Sequence, residues 1–265
     1  MTPQLEPAQL ESALAALAEP APAAVSERVA AALGLGDEYV TVDGPVGPLR
    51  VAYSDRGISL VDAAAGNEAA FRAAFAARFG GRPLRRAASG PPPGLVAALE
   101  GRRVQPRAAG LGYDLSACSP FQRAVLAKTA EIPRGEVRSY GWVAREIGHG
   151  AAVRAVGTAL GRNPVPVLIP CHRVVRSDGR IGNYALGSSV KTRLLRTEGV
   201  DVVELTRLAT AGVRYVGNAT THVFCVPTCR AARLAEGANR VTFRSAADAR
   251  RRGYRPCQSC RPSTA

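Results

Sequence analysis

The sequence predicts an α+β protein of several domains, and three observations carry that prediction. Short apolar-alternating runs near residues 39–61, bounded by turn residues and followed by a helical pattern, mark a small α/β unit. Two short helices joined by a glycine-containing turn, then a Ser-Asp-Gly turn, make a winged helix-turn-helix pattern. Four cysteines in two close pairs near the end have the spacing of a small metal-stapled unit. The boundaries read as a helical N-terminal extension over 1–36, the α/β unit over 37–107 and the helix-turn-helix unit over 108–200. A linker over 201–211 and the cysteine unit over 212–265 complete the chain.

Each element has its own signal. In the Ala-rich first segment, Leu10, Leu14 and Leu17 recur at helical spacing and Pro20 and Pro22 break the run, which reads as two short helices. Strands are expected at Tyr39–Val42, Leu49–Tyr53 and Ile58–Val61, with a turn at Asp55-Arg56-Gly57. A helix is expected over Ala69–Phe79 and a loop at Gly90-Pro91-Pro92-Pro93-Gly94. Ser119-Pro120-Phe121-Gln122 is a capping box with proline at the first helical position. Ser139 caps a second helix through Ile147, stopped by Gly148 and Gly150. A third runs from Ala151 to Gly161, ended by Asn163-Pro164, with Val153, Val156 and Leu160 as its buried face. Opposite them lie Arg154, Thr158 and Arg162, while Gly157 and Gly161 keep the helix slim. Val174–Arg176 and Ile181 flank Ser177-Asp178-Gly179 as a hairpin wing. Two helices packing on each other away from DNA would give the same periodicity.

Charge points to a polyanion. Residues 1–107 hold 11 Arg and 11 acids and sum to zero, whereas 108–200 and 201–265 each carry +7, so the whole excess of +14 lies in the last 158 residues. Phosphate contacts reward such a concentration. A GC-rich genome explains Arg over Lys, but not that division. No apolar run approaches the ~18 residues of a membrane span, and no secretory or transit pattern opens the chain, so a soluble cytoplasmic protein is expected. Without a secretory context, the six cysteines read as metal ligands or reactive thiols rather than disulfides.

Ile169-Pro170-Cys171-His172-Arg173 sets a thiol beside an imidazole and a guanidinium, groups that favour the reactive thiolate. For an isolated cysteine a buried structural role is the better reading. Here the neighbours matter. Phe121-Gln122, Ile132-Pro133-x-Gly135-Glu136-Val137, Ser139-Tyr140-Gly141 and Arg154-Ala155-Val156-Gly157 occur in order. Asn163-Pro164, the Cys171 motif through Val174, Gly182-Asn183-Tyr184, Lys191 and Glu198-Gly199 follow. This stretch of about 80 residues resembles the O6-alkylguanine-DNA alkyltransferase (methylated-DNA–protein-cysteine methyltransferase) family.

The resemblance implies a small RNase H-like α/β domain at 37–107 ahead of the acceptor domain. It implies single-turnover transfer of an alkyl group from O6-alkylguanine, and from O4-alkylthymine, in double-stranded DNA to Cys171. His172 would be a proton relay through water and Glu198 its orienting group. Asn163 would brace the turn carrying the thiol, and Tyr140 would help neutralise the departing guanine. Tyr184 would line the pocket and Arg154 would fill the stack vacated by the flipped base. Arg162 and Gly157 belong to the same DNA-facing helix, and transfer at Cys171 calls for no cofactor. Tyr140 and Tyr184 also fit ordinary half-buried core positions. A monomer is expected, and Cys118 reads as a loop thiol.

Cys225-x3-Cys229 and Cys257-x2-Cys260, with 27 residues between the pairs, suit tetrahedral Zn²⁺, with His222 a competing ligand. The tail resembles the metal-binding domain of the Ada adaptive-response protein through Phe224-Cys225-x-Pro227-Thr228-Cys229, Phe243, Ala247 and Gly253-Tyr254-Arg255-Pro256-Cys257-x-x-Cys260-x-Pro262. In that family the unit precedes the alkyltransferase, so the order here is permuted. The resemblance implies that Cys225 is a candidate second acceptor, for methyl from phosphotriesters. Val226 stands where Ada has arginine, which favours plain zinc-stapled DNA binding. The rival classes are a zinc-containing transcriptional regulator sensing alkylation at Cys171 and a Cys-His hydrolase. The hydrolase lacks any upstream acyl-pocket pattern.

Overall fold

Alternating apolar side chains build the first sheet of the computed structural model, which describes residues 35–64, 66–101, 111–235 and 237–262, with Val25, Val29 and Leu33 ahead of them. The helices expected within 1–36 otherwise lie outside the described residues. Strands β1 (Asp37–Gly44), β2 (Gly47–Ser54), β3 (Gly57–Ala63) and β4 (Leu84–Arg86) pair in the order β3-β2-β1-β4. The first three are antiparallel neighbours, while β4 runs parallel to β1 after the helix Glu68–Phe79 crosses over. Tyr39, Ala52 and Leu60 pack one sheet face on Phe71 and Phe75. Val40, Leu49, Val51, Ile58 and Val61 turn to the other face. There they join a core running through Leu95, Val125, Leu126, Val143, Val156 and Ile169 to Cys171. The α/β unit and the helical unit thus share one core. Gly57 marks their seam: its φ is +112° and an added Cβ would stand 2.4 Å from the Gly112 backbone.

Ser139 and Ser119 cap as expected, accepting from Trp142 N and Gln122 N to open the helices Tyr140–Glu146 and Pro120–Ala130. The reciprocal half of the capping box is not made. Gln122 instead donates to the carbonyls of Ala159 (3.2 Å) and Arg162 (3.0 Å), tying its helix to the helix Val153–Gly161. Val156 and Leu160 are buried there, but Val153, expected on that face, is exposed at the helix start. The hairpin differs too. Its turn closes through Gly179 N to Arg176 O and Arg176 N to Arg180 O. The buried pair Val174–Val175 (β6), however, ladders in parallel with Arg138–Ser139 (β5), and Ile181 belongs to no strand.

The expected linker is a helix. Asp201 caps Val202–Thr210 and accepts from Glu204 N. Its Val202 and Leu205 join Val137, Val175, Leu195 and Val200 in a buried cluster. Beyond it β7 (Tyr215–Asn218), β8 (Val223–Cys225), β9 (Arg240–Phe243) and β10 (Arg255–Pro256) form a mixed sheet in the order β10-β8-β7-β9, so the fold is α+β with two mixed sheets. One of its faces packs Phe224, Phe243, Ala249 and Tyr254, and the other carries the four cysteines. Among the described residues, no helix is long and apolar enough to cross a membrane.

Candidate functional site

Cys171 opens a 3-10 turn, Cys171–Arg173, and is held from behind by Asn163. The Asn163 amide nitrogen donates to Ile169 O (3.0 Å) and to Cys171 Sγ (3.1 Å), and its oxygen accepts from Val165 N (3.0 Å). One buried side chain thereby closes the loop 163–171. Within that loop Val167 has φ +74°, a left-handed conformation that a β-branched residue adopts only under constraint. Burial pushes the Cys171 thiol up, opposed by the Asn163 hydrogen bond and the Lys191 charge.

Beside it, His172 is almost fully buried and its Nε2 lies 3.0 Å from Glu198 Oε1. Arg173 grips the same carboxylate twice, through Nε to Oε2 (2.8 Å) and Nη2 to Oε1 (2.7 Å), and anchors on Ile132 O (2.6 Å). Burial raises the Glu198 carboxyl, but hydrogen bonds from His172 and Arg173 outweigh it and hold the group down to about 2. Burial, only partly offset by the Glu198 hydrogen bond, lowers His172, so its ring is neutral near pH 7. An ionised carboxylate only accepts, which places the ring proton on Nε2. Nδ1, buried with no partner, keeps a free lone pair.

A pocket of about 260 Å³ opens on the sulfur, lined by Tyr140, Gly157, Leu160, Cys171, Asn183 and Tyr184 among others. That is just below the ~300–1,000 Å³ range of small-molecule sites. The Tyr184 hydroxyl is buried without a partner of ordinary geometry and faces the sulfur; burial, then the Cys171 charge, pushes its phenol up. Tyr140, at the start of its helix, is likewise raised by burial. Arg154 and Arg162 stand outside this pocket, both exposed.

The sequence assigns Lys191 no role beyond its place in the motif series. It is fully buried and donates from Nζ to Val174 O (2.6 Å) and Asn183 O (3.3 Å). Burial lowers it to about 8. The signal was there: Lys191 sits three and four residues before Leu194 and Leu195, on the apolar face of its helix. Cys118, expected as a loop thiol, is buried in the shared core, which raises its pKa.

The structure gathers the four C-terminal cysteines. Their Sγ atoms all lie within 4.8 Å of one another and all four residues are buried. Four thiolates this close repel unless a cation joins them. Hydrogen bonds within the set split the thiols, pushing Cys225 up and Cys229 down. That chemistry fits a metal ion. His222 lies outside the set, its ring 5.0 Å from that of Tyr254.

Residues 120–200 match the family model described as 6-O-methylguanine DNA methyltransferase, DNA binding domain, and residues 205–263 match the metal binding domain of Ada. A methylated-DNA–protein-cysteine methyltransferase of Mycolicibacterium paratuberculosis is 36% identical over 164 residues, covering 61% of this chain and 92% of that protein. One from Methanothermobacter thermautotrophicus is 40% identical over 119 residues, covering 43% of this chain and 66% of its own. Against two Methanosarcina relatives the match spans about half of their length, 51% and 49%. The crystal structure of Mycobacterium tuberculosis OGT in complex with DNA is 28% identical, with a TM-score of 0.46, covering 64% of this chain and 99% of that one. On the strength of the match to the Mycolicibacterium paratuberculosis protein, 92% of which is covered, the chain belongs to the methylated-DNA–protein-cysteine methyltransferase family.

Proposed function

We propose that the chain repairs double-stranded DNA by taking the alkyl group of O6-alkylguanine onto Cys171, once per molecule. One observation carries this reading: the thiol ends a purine-scale pocket next to a histidine whose free Nδ1 is its unpartnered base. The sulfur attacks the alkyl carbon, the S–C bond forms as the C–O6 bond breaks, and guanine departs with the electron pair. The proton the thiol loses passes by way of His172, through water, to balance the departing base. Asn163 and Lys191 favour the charged sulfur, and Glu198, held by Arg173, fixes the imidazole tautomer. Tyr140 and Tyr184 line the base, and Gly157 keeps the 153–161 helix thin where duplex DNA approaches. Arg154, exposed on that helix, and Arg162, exposed just past its end, face the backbone, with Arg154 reaching into the stack.

In this reading 37–107 is an RNase H-like domain and 108–200 a winged helix-turn-helix with Arg176–Arg180 as the wing turn. The C-terminal unit is a zinc module that adds DNA affinity through its arginines. Zinc bound by Cys225, Cys229, Cys257 and Cys260 would offset half the charge of the four thiolates and fix the loops that carry them. The decisive experiment is intact mass after incubation with O6-methylguanine duplex. One methyl on Cys171, and none on Cys171→Ala, is expected; a methylated Cys171→Ala protein refutes the assignment. Running Cys171→Ala on methylphosphotriester DNA tests Cys225 as a second acceptor.

A further inference from the structure

The chain from Arg134 to Ser139 touches the Cys171 site on three sides. Arg134 Nη2 donates to Thr197 O (2.9 Å), and Gly135 packs so close to Glu198 O that an added Cβ would stand 2.9 Å away. Arg138–Ser139 ladders with Val174–Val175, directly after the Cys171–Arg173 turn. Ser139 then caps the helix that begins with Tyr140. This segment therefore sets the relative positions of Glu198, the 171–173 turn and Tyr140.

The loop that carries two of the clustered cysteines holds the segment's other side. Thr228, between Cys225 and Cys229, accepts from Val137 N through Oγ1 (2.9 Å), and the contact is buried. Arg230 N donates to Glu136 Oε1 (3.0 Å), while Glu136 Oε2 receives Arg138 Nη2 (2.6 Å). Glu136 and Arg138 are themselves buried, and the Arg138 guanidinium lies 5.5 Å from the Trp142 ring. A buried amide that loses its acceptor cannot turn to water, so the strand would have to move.

We propose that the metal-binding loop Cys225–Cys229 is a strut of the Cys171 site, with Thr228 and Glu136 as positioning residues. The inference rests on the alkyl-transfer reading above. Cysteine ligation fixes the loop, the loop fixes 136–138, and 136–138 fixes the acceptor site. Oxidation of the four cysteines or loss of the metal would then slow transfer at a sulfur in a different unit, with no DNA contact involved.

The chain carries its own reporter. Trp142 is the sole tryptophan, buried beside Arg138 with its indole N–H unpartnered. The test uses the full zinc-loaded chain and free O6-benzylguanine, which removes DNA affinity from the measurement. Alkylation of Cys171 is followed by intact mass and Trp142 by its emission, in the wild type, the chelated wild type, Thr228→Val and Thr228→Ser. Thr228→Val should retain its zinc, shift the Trp142 emission and react about tenfold more slowly, the effect of losing one buried hydrogen bond of ~1.4 kcal/mol. Chelation should act at least as strongly, and Thr228→Ser should restore both signals. Unchanged rate and emission in Thr228→Val and in the chelated protein overturn the strut. If Thr228→Val does not fold, the chelation arm decides alone. A wild type that leaves Cys171 unmodified by O6-methylguanine duplex as well sinks the repair reading instead, and the Trp142 response to chelation then decides the strut separately.

Discussion

Glu198→Gln is the sharpest perturbation the site offers. The wild-type carboxyl sits at about 2 against an ordinary 4.5. That difference of ~2.5 units corresponds to ~3.4 kcal/mol of folding stability at neutral pH. Its side chain is only 7% exposed, so solvent screening removes little of this. The sign is that of a depressed acid: the contribution is whole above the unfolded carboxyl's pKa near 4.5 and disappears as pH falls toward about 2. Breaking a buried pair by removing one partner costs ~3–5 kcal/mol by a separate line of evidence, which brackets the same figure. Urea unfolding of both proteins from pH 7 downward measures it. Metal loss at low pH is common to both and cancels in the difference. The variant should be weaker by ~3 kcal/mol at pH 7, with the gap closing below pH 4. A gap under ~1 kcal/mol, or one independent of pH, would refute the claim that the clamp is charged and tight. The same change frees the imidazole tautomer, so alkyl transfer should slow as well.

Lys191→Met removes a buried amine that burial holds at about 8, down from 10.5. A depressed base destabilises the fold while protonated, so wild-type stability relative to the variant should rise between pH 8 and 10.5; a flat difference in urea midpoints sinks this. Arg154→Ala should slow transfer from duplex DNA about tenfold, as loss of one DNA contact worth ~1.4 kcal/mol implies, yet leave reaction with free O6-benzylguanine unchanged. Equal slowing with both substrates would place Arg154 in the chemistry rather than at the DNA.

What was legible in the sequence was local. Serine caps at 119 and 139, alternation in β1–β3 and the close cysteine pairs each depend on residues a few positions apart. The misreadings share a different cause. β6 precedes a Ser-Asp-Gly turn as half of a hairpin would, but its ladder goes to residues 36 positions earlier, where both valines can be buried. The 202–210 helix had a legible cap in Asp201 and an apolar stripe at Val202, Leu205, Leu208 and Ala209. Its place between two recognised units hid it. Contacts such as Thr228 to Val137, 91 residues apart, leave no periodic trace at all.

Burial of Cys171 runs against the proposed role of nucleophile, because it raises the thiol and withholds the reactive form. For an acceptor spent in one event the conflict disappears. A sulfur kept protonated between encounters resists oxidation and stray alkylation, both of which consume the molecule. Ionisation then needs three conditions together: the Asn163 amide on the sulfur, the buried Lys191 charge nearby, and a neutral His172 with Nδ1 open. The first two are built in. The third depends on Glu198 holding the proton on Nε2, and Glu198 depends in turn on Arg173 and on the segment that packs against its carbonyl. On the alkyl-transfer and strut readings, reactivity in this site is therefore a property of how firmly the 134–139 segment is held, more than of the cysteine itself.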